Sequence, residues 1–554
     1  MTPDIIRDST FGQLVNWATS GRVFPYEDQK PGYIVPAKYL NTPPSPLPRT
    51  DTGVRTLVDS EVVTPSKSGS DIEKGSDKPV SPAEPEKYAF LVEFDEGDPD
   101  RPHNWTRKKR VFVGFLVAFL TFSVYVGSAI YTSAIPSIMA DFGVSQVVAI
   151  LGLSMFVFAY GFGPMLLSPM QEMPTIGRNP PYIIGLGLFV IFQIPIILAP
   201  HISVILIFRF LSGFVGSPAL ATGGASMGDI FSPDALPAAI GIWSLGAVTG
   251  PILGPVIGGF AAQANGWRWP NLELLWITGF AFIVLFIALP ETYEPTILVR
   301  RARRLRKLTG NPLIKAQAEL DAVPNEGFFT IVGGRVKRAF QLTLEPAVLF
   351  VNIYIGLVYS IFYLWFEAFP LVFEGIYHFN LGLAGLPYLV FVISGIPTYA
   401  AYVWYQNKHI IPRSKNDPTF KPEDRLFLSL IAACFIPASL LLFGWSARTS
   451  VHWIVPIIGA GLYLPGIFLL FQTLIVWSVS AYPVVAASLL AGNALFRSEQ
   501  AGAFPLFGRV FYERLTIGGG CSLLAGLSLL MIVPLWGLYK YGDRLRARSK
   551  WATA

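Results

Sequence analysis

The chain has 554 residues, 52% of them hydrophobic and only 14% charged, with a mean hydropathy of +0.49. Soluble domains carry roughly 25% charged residues, so this composition excludes an ordinary globular protein and points to lipid. The net charge of +6 does not call for nucleic acid, because basic residues flanking apolar segments are what membrane topology demands.

Residues 1–110 form a polar tail. Its opening, MTPDIIRDSTFGQLVNWATSG, has no charged start followed by an apolar core and does not read as a cleavable signal peptide. Residues 41–86 have the composition of disorder. Their Ser, Thr and Lys residues are either a solvated tail or sites of phosphorylation or ubiquitin attachment. A glycosylation sequon at Asn104–Thr106 is discounted, since the topology below hides it from the lumen.

A spanning helix needs about 20 mostly apolar residues. Twelve segments qualify: 111–133, 147–169, 180–199, 202–224, 238–261, 270–289, 346–369, 382–404, 427–446, 452–476, 483–506 and 516–539. Only APHIS separates the third and fourth, which implies a tight hairpin. With both termini on one side, that side carries 25 Lys and Arg residues next to the spans and the other carries four, Arg268, Arg448, Arg509 and Arg514. The positive-inside rule then places both ends in the cytosol. The expected organisation is an all-α membrane protein with a cytosolic tail (1–110), a six-helix half (111–290), a cytosolic loop (291–345), a second six-helix half (346–539) and a C-terminal tail (540–554). Two halves joined by a long loop is the layout of transporters built from repeats. The basic run VRRARRLRK that follows span six is either a surface helix for anionic headgroups or a topological signal alone.

Span five contains SLGAVTGPILGPVIGGF. Gly246, Gly250, Gly254 and Gly258 recur every four residues and share one helical face. Such a stripe lets another backbone come close, and here the other half is the expected neighbour. Pro251 and Pro255 each remove a helix hydrogen bond and favour a bend. GAVTGPILGPVIGG resembles the antiporter motif of the major facilitator superfamily, in its twelve-span drug:proton antiporter branch. RFLSGFVGSPALATGGASMGDIF resembles the span-four motif, and GPMLLSPMQEMPTIGRNPPY the loop between spans two and three. DPDRPHNW, GWRWPNLELLW, LPETYEP, FRSEQAGAFPLFGR and the opening IIRDSTFGQLVNW resemble fungal multidrug and caffeine-resistance members.

The likeness implies a major facilitator fold, with a cytosolic gate at Glu172, Gly177, Arg178 and Asp229 whose three charged residues form a cluster that locks the outward-facing state. It also implies that Arg209 helps couple proton movement to transport. One departure stands out. The acidic residue lies further than usual before Gly177-Arg178, and Asn179 replaces the second basic residue.

Ionisable residues inside a span are costly and usually serve the pathway. Arg209 either snorkels to the interface or is buried. Tyr359, Tyr363 and Glu367 recur every four residues on span seven, with Glu374 further towards its end. A carboxyl in an apolar cavity exchanges protons near neutral pH, and beside aromatic rings it also suits a cationic drug. Its alternative is a structural acid satisfied by a basic neighbour. Gln472, Asn493 and Arg497 are further cavity candidates, while Arg497 and Glu499, two positions apart, do not face each other.

No GxxxxGK[ST] or HExxH is present, so neither ATP hydrolysis nor an enzyme is expected. Cys434 and Cys521 lie far apart inside apolar spans, and no metal or cofactor is implied. His103, His201, His378, His409 and His452 read as solvated. Together these readings anticipate a proton-coupled exporter of small toxic compounds, such as azole-type antifungals or caffeine-like heterocycles, in the plasma membrane. Its partners would be drugs, protons and membrane lipid, without nucleic acid, and a monomer is expected. The alternatives are a transporter of a physiological solute such as a polyamine, and a non-transporting membrane sensor.

Overall fold

The computed structural model describes residues 3–36, 39, 90–232, 235–321 and 328–552. The stretch 41–86 lies outside them. Among the described residues, eleven helices are long and apolar enough to cross a membrane. Spans one to six are Arg107–Phe142, Gln146–Gln171, Asn179–Ile197, Ile202–Ile230, Ala238–Asn265 and Arg268–Ala288. Pro346–Glu374, Leu381–Asn416, Pro422–Ser446 and Ile454–Ala481 are spans seven to ten.

The eleventh helix, Ser488–Arg548, has 61 residues, a rod of about 90 Å if straight, against a hydrocarbon core of about 30 Å. It is not one crossing. Thr516 sits at φ 66° and ψ 164°, a non-helical conformation that breaks it. Beyond the break the chain doubles back, so that a Cβ on Gly520 would lie 2.8 Å from the Phe511 ring. The far end returns to the face it left, where Arg546 pairs with Glu423 at 2.8 Å at the start of span nine. Dividing it at Thr516 yields spans eleven and twelve, the twelve crossings expected.

Span ends follow local chemistry. Thr106 caps span one, its hydroxyl accepting from the Lys109 N–H at 3.4 Å. That span continues through a tight turn at Ile130–Ala134 to Phe142, past the expected end at 133, and stops at Gly143 with φ 61°. Spans one and five pack together in the first half, and spans seven and eleven in the second. The halves meet where span two touches span eleven and span five touches span eight.

The tail does not float free of the fold. Ser9 bridges to Pro290, and the Glu291 N–H donates to the Asp8 carbonyl at 3.4 Å. Strand β1 (Phe90–Val92) pairs in parallel with β2 (Ile314–Ala316) of the central loop. The basic run forms a helix, Glu294–Thr309, most of whose arginines are paired. Arg301 pairs with Asp98 at 2.6 Å and Asp100 at 2.9 Å, Arg304 with Asp28 at 2.8 Å, and Arg306 with Glu319 at 2.8 Å. Of the two readings of this run, a helix forms, but its charge is spent largely on the chain's own acids. His103, expected to be solvated, is half-buried with Nδ1 3.3 Å from Glu294.

Candidate functional site

The two halves enclose a tyrosine cluster. Tyr359 OH lies 3.1 Å from Tyr125 OH and 2.8 Å from Tyr160 OH, and Tyr160 OH lies 3.3 Å from Tyr363 OH. Tyr125 and Tyr160 come from spans one and two, so the cluster joins both halves through side chains alone. The Arg497 guanidinium stacks over the rings of Tyr359 at 4.7 Å and Phe471 at 5.1 Å. Gln472 donates to Ser244 Oγ at 3.1 Å, another link between halves. Asn493 instead donates to Asn352 Oδ1 at 2.8 Å, inside the second half.

One turn beyond Tyr363, Glu367 is buried and accepts from Gln146 Nε2 at 3.4 Å. It lines a cavity of about 350 Å³ with Glu374, Gln146, Tyr388 and Arg509. The cavity lies on the face opposite the termini, since its lining includes Gln146 at the start of span two and Glu374 at the end of span seven. The terminus face is closed. Met165 of span two packs with Ala339 of the loop helix Phe328–Thr343 and Leu495 of span eleven. Tyr399 OH donates across the seam to the Ala238 carbonyl at 2.9 Å.

Arg209 is fully buried rather than snorkelling. Its Nε donates to the Gly152 carbonyl at 3.0 Å, Nη1 to Gly127 at 2.6 Å and Nη2 to Ser128 at 3.4 Å. Tyr131 and Phe156 rings each lie 4.7 Å from its guanidinium carbon. It therefore ties spans one, two and four together.

At the terminus face Arg178 Nε meets Asp229 Oδ2 at 3.0 Å, and both are largely buried. Burial opposes the guanidinium charge, but the Asp229 carboxylate outweighs it and holds Arg178 above its ordinary value. Glu172 adds to that field, and its own backbone carbonyl accepts from Tyr293 OH at 3.2 Å. Glu291 is the organiser that inspection of the sequence missed, although LPETYEP contains it. Its carboxylate accepts from the N–H groups of Arg178 at 2.9 Å, Thr292 at 3.1 Å and Tyr293 at 3.1 Å. Gly177, at φ 87°, leaves room for that carboxylate, into which a Cβ would project.

The glycine stripe requires a correction. It faces span one of its own half, not the other half. A Cβ on Gly250 would lie 2.8 Å from Tyr125 Cβ, on Gly254 2.7 Å from the Ile130 nitrogen, and on Gly258 2.6 Å from the Ile130 carbonyl oxygen. Gly246 abuts Ala118. Contact with the other half uses the adjoining face of span five, where a Cβ on Gly385 of span eight would lie 2.5 Å from the Pro255 oxygen and a Cβ on Gly259 2.8 Å from the Leu381 oxygen. Pro251 and Pro255 both lie inside the helix.

The sequence profile of the Major Facilitator Superfamily matches residues 117–497. The chain is 39% identical to the cycloheximide resistance protein of Candida maltosa over 99% of both chains. It is 44% identical to Transporter mfs1 of Schizosaccharomyces pombe, covering 84% of this chain and 89% of that one. To fluconazole resistance protein 1 of Saccharomyces cerevisiae it is 39% identical, over 88% of this chain and 89% of that one. Among solved structures, the proton:xylose symporter XylE bound to 6-bromo-6-deoxy-D-glucose superposes with a TM-score of 0.56 at 14% identity, covering 78% of this chain and 97% of that one.

Proposed function

The chain belongs to the major facilitator superfamily, and from that premise we propose that it exports structurally diverse small toxic compounds across the plasma membrane in exchange for protons. It is a transporter, not an enzyme. Relatives named for cycloheximide and fluconazole resistance support the cargo class, and the Lys and Arg asymmetry supports cytosolic termini.

The observation that carries the reading is a cavity that contains a buried acid and opens on one face only, while the terminus face is sealed. With the termini in the cytosol this is an outward-open state. Glu367 takes up a proton from outside. The halves then rock, the Met165–Ala339–Leu495 seal parts, and drug enters from the cytosol as the proton leaves. Arg178, Asp229 and Glu291 stabilise the state in which the cytosolic side is shut. Arg209 holds spans one, two and four as one body, so that its part in coupling is to keep the first half rigid.

Everted vesicles carrying the full chain, given an imposed pH gradient, test the proposal with a panel of azoles, caffeine-like heterocycles and dyes. Proton-dependent uptake is expected, and its absence across the panel overturns the reading. A tail deletion that separates transport from sensing must spare residues 3–36. Asp28 and Arg7 in that segment pair with Arg304 and Asp100, so removing it would also unpin the central loop.

A further inference from the structure

Two arginines lie deep within the spans, and they differ in one respect. Arg209 has both rings and acceptors: three backbone carbonyls receive its guanidinium. Arg497 has rings but, among the described residues, no hydrogen-bonded acceptor. Tyr359 and Phe471 stack on it, its Nε is buried without a hydrogen-bond partner, and among the described residues no carboxylate or carbonyl accepts from it. The acid nearest in sequence does not serve. Glu499 faces span two, where a Cβ on Gly161 would lie 3.3 Å from its Oε1.

A cation within a membrane span, without a counter-ion, is expensive unless something it binds offsets that cost. Its surroundings suit a ligand. The tyrosine hydroxyls of both halves converge beside it, and Arg497 as a residue is only partly buried. A guanidinium presents planar, paired donors matched to a carboxylate, and the rings offer faces for a flat molecule. Glu367 lies two turns away along span seven, about 12 Å from the level of Tyr359 at 1.5 Å per residue. The site therefore has a cationic pole at its centre and an acidic pole towards its mouth.

We propose that Arg497 and the tyrosine cluster form a subsite for aromatic molecules bearing a carboxylate, which the unpartnered guanidinium binds while the rings stack on the flat body. This rests on the efflux reading and names one cargo class within it. Binding of the carboxylate at Arg497, across a cluster built from both halves, also places the cargo where the rocking motion would part its contacts.

The test is equilibrium binding to the purified full chain in nanodiscs, with empty discs subtracted, using 9-anthracenecarboxylate and its methyl ester as fluorescent probes. The wild-type protein should bind the acid at least tenfold more tightly than the ester. Arg497→Gln should abolish that preference, and Arg497→Lys should retain part of it. Equal affinities in the wild type, or a preference undiminished in Arg497→Gln, overturn the proposal. Should Arg497→Gln fail to fold, the wild-type ratio and Arg497→Lys decide. Proton-driven uptake of a neutral azole in everted vesicles reports on the parent reading separately. Azole uptake with no acid preference removes only this subsite, and acid-selective binding with no uptake removes only the efflux reading.

Discussion

Replacing Gly254 by alanine puts a methyl group 2.7 Å from the Ile130 nitrogen and 3.0 Å from the Ala129 carbonyl carbon. Heavy atoms rest at roughly 3.5 Å or more, so spans one and five must separate by about 0.8 Å. Both obstacles are backbone, and no rotamer change relieves them. Overpacking of this kind costs about 1–3 kcal/mol, and leucine should cost more. Gly279→Ala and Gly526→Ala are the controls, because a Cβ at either meets nothing within 4 Å. Thermal unfolding of the purified protein should therefore rank Gly279→Ala at or above wild type, then Gly254→Ala, then Gly254→Leu. Cross-linking locates the partner. A Cβ on Gly246 would lie 3.5 Å from Ala118 Cβ, within the range a disulfide bridges. With Cys434 and Cys521 replaced, Gly246→Cys and Ala118→Cys should form a disulfide and leave efflux intact, since both spans belong to one half. Melting of Gly254→Ala at or above the control, or arrest of transport by that disulfide, would refute the argument.

Removing one member of a buried ion pair costs about 3–5 kcal/mol, so Arg178→Ala should destabilise the closed terminus face. Cysteine labelling at Leu495 should rise in that variant, and the double variant Arg178→Asp with Asp229→Arg should restore part of the protection. Glu367→Gln keeps an acceptor for Gln146 but not the proton, and should flatten the dependence of efflux on the imposed pH gradient while cargo binding survives; unchanged dependence would exclude Glu367 as the coupling acid. Burial works against the charge of Asp100, yet the hydrogen bond from Arg301 and the field of Arg7 hold its carboxyl below the ordinary range. A depressed carboxylate stabilises the docked tail at pH above its ordinary value and loses that contribution as pH falls through the lowered one. Hydrogen-exchange protection over residues 90–104, taken relative to the intrinsic rate at each pH, should thus hold at neutral pH and fall only in acid, whereas Arg301→Ala should already lose it at neutral pH.

What was legible in the sequence had a periodic signal. Apolar runs of membrane length marked the crossings, and even the hidden twelfth was apparent as two apolar segments although Ser488–Arg548 reads as one helix in the fold. The four-residue glycine spacing correctly announced a close backbone approach, but spacing along one helix carries no information about which helix fills the groove, and the neighbour proved to be span one. The tail was opaque for a different reason. Its helices and β1 are too short to show a pattern, and they are held by ion pairs such as Arg301–Asp98 and Arg304–Asp28 to arginines some 200 or more residues away. Local composition reads such a segment as solvated.

The same limit governs the site. Arg209 and Arg497 look alike in sequence, each a lone cation in an apolar span, and the family likeness singled out Arg209. Tyr125 and Tyr160 gave no signal, being single tyrosines on helices whose facing was unknown. Only when spans one, two, seven and eleven are assembled does the difference emerge. Around Arg209 three carbonyls have already been supplied by the fold, so a ligand there would compete with the protein's own backbone. Around Arg497 the fold supplies rings and hydroxyls but, among the described residues, no carboxylate or carbonyl that accepts from it. In the proposed mechanism, rigid coupling within a half and recognition between halves would fall to two arginines of the same chemistry, and what separates them is how completely the surrounding backbone has satisfied each one.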